Sequence, residues 1–95
     1  MADENKYPRV PDNYKHKIEV KLNWYNKHGE SLVGEEKLDF LTLQDLQDIF
    51  DVFIDNVQLN FWHVKTRHAR RLQRITNHHI EIKKYIYFVE QQEYA

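Results

Sequence analysis

Six histidines are the first residues of this chain that could do chemistry. Imidazoles hold divalent metals when three or four ligands converge on one point. His78 and His79 are adjacent, and neighbours on a strand point to opposite faces, so they cannot readily share one ion. His63 and His68 have no carboxylate recurring at ligand spacing. No metal or other cofactor is expected. The lone serine, Ser31, lacks the glycines of a nucleophile elbow. Glu35 and Glu36 are adjacent and diverge on a strand, so they do not form an acid/base pair flanking a substrate. Gly29 and Gly34 are the only glycines, too few for a loop that cradles phosphate. These patterns point away from an enzyme and toward binding.

Two kinds of binding chemistry are legible. The stretch KTRHARRLQR, residues 65–74, is a basic cluster preceded by Phe61 and Trp62. Aromatic rings beside basic side chains can stack bases and neutralise phosphates, so a small RNA- or DNA-binding module is one reading. The opposite charge lies upstream. Glu30, Glu35, Glu36, Asp39, Asp45, Asp48, Asp51 and Asp55 face only Lys37 between residues 30 and 55. With a formal net charge of −1, the chain is not basic overall, and its acidic run would repel a polyanion. Nucleic acid is therefore the second choice of partner, behind a protein.

The elements that must position these residues follow from hydrophobic period. Ile18, Val20, Leu22 and Trp24 alternate with Glu19, Lys21, Asn23 and Tyr25, the pattern of a strand with one face on a core. Gly29 is expected to supply a positive φ in the following turn, after which residues 32–40 return as a second strand. Leu43, Leu46, Ile49, Phe50, Phe53 and Ile54 then fall at helical spacing. Thr42 and Asp45 form a capping box, and Asp55-Asn56 is a natural stop. A third strand is expected from Val57 to Val64. Residues 65–76 fit a helical stripe of Ala69, Leu72 and Ile75 better than strict alternation, and read as an extension of the third strand with irregular or helical parts. Residues 79–90 read as a last strand, with Ile80, Ile82, Ile86 and Phe88 on one side. Tyr85, Tyr87 and Val89 occupy the other. The predicted fold is α+β, a four-stranded antiparallel sheet with one helix between strands 2 and 3, in the order ββαββ.

Hydrophobic residues make up 41% of the chain and charged ones 31%, which fits one folded domain rather than a disordered segment. Residues 1–15 hold both prolines and no apolar period, and read as an extended N-terminal arm ahead of a domain at 16–95. There is no cysteine, no run long enough to span a bilayer and no apolar signal core, so a cytoplasmic protein without membrane contact is expected. Six Tyr, five Phe and two Trp are many for 95 residues, and some must lie at the surface, where aromatic rings serve as anchors for partners. The oligomeric state is not legible.

An ordered series of residues resembles a known family. Leu22-x-Trp24-Tyr25-Asn26-Lys27, then Glu30, Gly34-Glu35-Glu36 and Asp39-Phe40, is similar to the first hairpin of the cloacin-type immunity proteins. Those proteins inhibit ribosome-inactivating colicins. The likeness continues at Phe53-x-Asp55-Asn56-Val57, Val64, Leu72-Gln73, Asn77-His78-x-Ile80-x-Ile82 and Tyr87-Phe88-Val89. It implies a four-stranded antiparallel sheet with a short helix. It also implies a sheet surface whose aromatic and acidic side chains grip the nuclease domain of a cognate toxin. The binding positions it implies are Tyr25, Leu32, Glu35 and Phe88, with Leu32 where the family has an aromatic ring; Glu30 and Glu36 are expected to join them in toxin binding as acids that draw a basic surface. The basic stretch at 65–74 and the N-terminal arm depart from the strongly acidic family pattern.

Overall fold

The computed structural model describes residues 17–29 and 31–94. The arm expected at 1–15 and Glu30 lie outside the described residues. The elements run β1 (Lys17–Asn26), β2 (Leu32–Lys37), α1 (Leu43–Phe50), β3 (Leu59–His63), α2 (Thr66–Gln73) and β4 (Tyr85–Tyr94). The four strands form one antiparallel sheet in the order β2-β1-β4-β3. The α+β class and the antiparallel sheet are as expected, but among the described residues the order is ββαβαβ, with two helices.

Both helices cover the same side of the sheet. Val20 and Leu22 of β1 and Tyr87 and Val89 of β4 are buried against Leu43, Leu46, Ile49 and Phe50 of α1 and Leu72 of α2. The alternation read in the first strand therefore places the core. α1 begins as expected: Thr42 accepts from the Asp45 N–H at 3.1 Å, and Asp45 accepts from the Thr42 N–H at 2.9 Å. It ends one turn earlier than its apolar stripe suggests, at Phe50, because Asp51 adopts a left-handed conformation (φ 55°) and closes the helix. Phe53, placed on the helical stripe by its spacing, is instead exposed on the segment beyond.

That segment is tied down by two buried glutamines. Gln47 Oε1 accepts from the Ile54 N–H at 2.9 Å, while Gln91 Nε2 donates to the Val57 carbonyl at 2.6 Å. Extended chain with no ladder of its own must satisfy its polar groups this way where it lies against a core.

Residues 66–73 are helical rather than a continuation of the third strand. Lys65 has no acceptor to cap this helix; His68 Nδ1 instead accepts the Lys65 N–H at 3.0 Å. The last strand starts at Tyr85 rather than at residue 79; residues 79–81 are irregular and 82–84 form a turn. Ile80 and Ile82 pack on the core from that loop, where a period of two mimics a strand.

The hairpin differs from expectation at its glycines. Gly29 has no positive φ. Gly34 is the residue that needs to be glycine: a Cβ there would lie 2.5 Å from a carbon of the Trp24 indole. Trp24 and Gly34 are cross-strand partners, and the register slips just beyond, between Trp24 and Tyr25.

Candidate functional site

Among the described residues, no helix lies over the sheet's second side. Side chains alternate along each strand, and the register places Tyr25 beside Ile86, Asn23 beside Phe88, and Lys21 beside Glu90. On the outer strands Leu32 adjoins Tyr25, Glu35 adjoins Asn23, Phe61 adjoins Glu90, and His63 adjoins Phe88. An apolar and aromatic cluster thus faces outward from all four strands. Tyr25 and Phe88 meet edge to face at 6.1 Å between ring centres, and His63 lies 5.3 Å from Phe88. Tyr25, Asn26, Gly29, Phe61, Ile86 and Phe88 line a shallow recess of about 390 Å3. Leu32 is half exposed and Phe61 57% exposed.

Polar groups border the rings. Lys21 Nζ is 3.7 Å from Glu35 Oε1. Asn23 Nδ2 donates to Glu90 Oε1 at 3.0 Å, which fixes the amide because a carboxylate can only accept. Its oxygen, Asn23 Oδ1, is buried and meets no donor among the described residues. Such an orphan costs about 1–3 kcal/mol, a cost sustained at few places in a fold.

Of the residues expected to bind a partner, Tyr25, Leu32, Glu35 and Phe88 are brought together on this uncovered side. Phe88 does not belong to the helix-covered core; Tyr87 takes that place. Glu36, expected beside them, lies elsewhere. It points to the helical side, where Oε2 accepts from the Asn77 N–H at 2.8 Å and Oε1 from the His78 N–H at 2.9 Å. It pins the loop after α2 to the second strand. Asp39 is likewise engaged, accepting the Val20 N–H at 3.0 Å. Sequence reading missed Phe61, Ile86 and His63 as members of the face, although their positions on alternating strands carried the signal.

Beneath the helical side lies a polar network around His78. Its ring stacks on Trp24 at 3.8 Å between centres, and its Nε2 is 2.8 Å from Tyr87 Oη. That hydroxyl also accepts from the Glu81 N–H at 2.8 Å, and the direction of its bond with His78 follows the imidazole tautomer. Burial lowers the pKa of His78 from 6.5, opposed by Glu36 and Glu81, and raises that of Tyr87 above 10. His68 is lowered too, by burial and by Arg67 and Lys65. Its ring faces the Lys65 N–H at 3.0 Å and Arg67 Nε at 3.2 Å, and an imidazolium would have no acceptor for either.

These shifts have one sign for stability. Both imidazoles hold protons less tightly when folded, so the unfolded chain binds more protons below pH 6.5. Stability is therefore full above about pH 6.5 and falls as the pH drops through the depressed folded values. Urea unfolding at pH 8, 6.5 and 5.5 measures this. A flat response from 8 to 5.5 would contradict the burial of neutral rings.

The basic stretch does not assemble with its aromatic neighbours. Trp62 stacks on Phe50 at 5.2 Å on the helical side, whereas Phe61 faces the other way. Arg71 donates to the Asp48 carbonyl at 2.9 Å, and Arg71 and Arg74 share a recess with Asp45. The acidic helix and the basic helix are thus neighbours rather than separate poles. Among the described residues, no three histidine or acidic side chains gather as metal ligands. No described helix is long and apolar enough to cross a membrane.

The fold and this site define a small α+β domain with one helix-covered and one bare, aromatic sheet face. Residues 19–90 match the family described as "Domain of unknown function (DUF7683)", and the chain belongs to that family. No curated protein and no solved structure matches it.

Proposed function

We propose that this chain is an immunity-type inhibitor that binds the nuclease domain of a cognate bacterial toxin through the uncovered sheet face, without catalysis, in the cytoplasm. The observation that carries the reading is the convergence of Tyr25, Phe88 and Glu35 on one helix-free surface. These residues were singled out by the resemblance to cloacin-type immunity proteins. Rigid rings give area at small entropic cost, and flanking acids suit a basic, RNA-handling surface. Binding there would cover the toxin's substrate surface or repel RNA from it. The split between Phe61 and Trp62, and the engagement of Arg71 by α1, weigh against the nucleic-acid alternative.

Charge reversal separates the two. Glu35→Lys is expected to slow association with the toxin domain about tenfold at low salt, and the effect should shrink as ionic strength rises. Reversal of Arg67, Arg70 and Arg74 should leave toxin association unchanged. The probe is the C-terminal domain of a toxin reading frame adjacent to the gene for this chain, followed by stopped-flow mixing. If only the arginine set alters binding, the sheet face is not the site.

A further inference from the structure

The two edges of the sheet differ. β2 carries Glu35, Glu36 and Lys37 and a register slip, features that discourage pairing with another chain. β3, with the sequence LNFWH, has no formal charge, no proline and no slip against β4. Its outward backbone groups follow from two hydrogen bonds. The Glu93 N–H donates to the Gln58 carbonyl at 3.0 Å, and the Val64 N–H to the Tyr87 carbonyl at 2.9 Å. Hydrogen-bonded positions alternate along an antiparallel pair, so Asn60 and Trp62 bond inward. Leu59, Phe61 and His63 therefore turn their N–H and C=O groups to the free edge. Among the described residues, no loop or helix backbone bonds to those of Leu59 or Phe61. Phe61 is the middle of these three outward positions.

We propose that β3 pairs antiparallel with β3 of a second copy of this chain, about a twofold axis at Phe61. An unpaired edge calls for an extended strand, and the residue pattern specifies which one. The outward positions are symmetric about Phe61, so a single register sets Phe61 against Phe61 and Leu59 against His63, as an isologous contact requires. No like charges oppose each other within the strand. Exposed Asp55 lies on the approach to β3, and exposed Lys65 and Arg67 lie at its exit. Antiparallel pairing brings the acidic approach of one copy to the basic exit of the other. Leu59, 49% exposed, and Phe61, 57% exposed, would be covered by their counterparts. Phe61 also lines the recess with Tyr25 and Phe88, but self-association of the chain alone is read without any toxin, so the two proposals fail separately.

Sedimentation equilibrium of the full chain is expected to show a concentration-dependent dimer. Leu59→Pro removes an outward N–H while sparing the inward bonds, and Phe61→Lys places like charges at the axis. Each should weaken the dimer at least about tenfold with an unchanged circular-dichroism spectrum. In the unmodified chain, amide exchange at Leu59, Phe61 and His63 should slow as concentration rises, while the β2 edge stays unaffected. A monomer at every concentration overturns the proposal. So does a dimer that survives both substitutions, or protection that grows at β2 instead.

Discussion

Glu36→Ala should lower folding stability by about 2–3 kcal/mol, whereas Glu35→Ala should change it by less than about 1 kcal/mol. The residues are adjacent and alike in chemistry, but the sheet sends them to opposite sides. Glu36 accepts two backbone N–H bonds, from Asn77 and His78, at 2.8 and 2.9 Å. Bonds to a charged acceptor are worth about 1.5–3 kcal/mol each, discounted here because the Asn77 amide is near solvent. Loss of the carboxylate also frees the loop that holds His78 against Trp24. Glu35 makes a surface contact with Lys21 at 3.7 Å. For a domain of this size, about 1 kcal/mol moves Tm by roughly 4–8 °C, so the two variants should separate clearly in a thermal melt. A Glu36→Ala melt coincident with that of the parent would mean the loop is held by other contacts. Toxin affinity should show the reverse order, with the larger loss in the Glu35 variant.

Tyr25→Ala and Phe88→Ala should each weaken toxin binding by about 2 kcal/mol or more, roughly 30-fold in Kd. Their rings lie on the uncovered side, so truncation forfeits chiefly the edge-to-face pair, about 0.5–1.5 kcal/mol of stability. A core Phe→Ala change would cost about 3–5 kcal/mol, and that difference distinguishes an anchor from a core residue. Because the rings touch, the double variant should lose less affinity than the sum of the two. Calorimetric titration against the toxin domain, paired with thermal melts, reads both quantities. Intact affinity in Tyr25→Ala would remove the best-supported anchor and with it the proposed interface.

Local patterns alone determined the hairpin's inward and outward faces, the capped start of the first helix and the placement of Tyr25 away from the core. Those features depend on period and on neighbours a few residues apart, which a linear sequence contains. The first helix's end, the second helix and the start of the last strand were decided by tertiary contacts. Asp51 adopts its left-handed conformation where the chain leaves α1 for a path tied down by Gln47 and Gln91. His68 supplies the acceptor for the Lys65 N–H that the residue at the start of α2 cannot. Ile80 and Ile82 reach the core from a loop, a role that alternation does not distinguish from a strand. The fate of Glu36 was likewise set by distant chain, since its partners lie some forty residues away. The sequence established which side chains share a strand face, but only the packed sheet decided which face the helices cover and which remains bare.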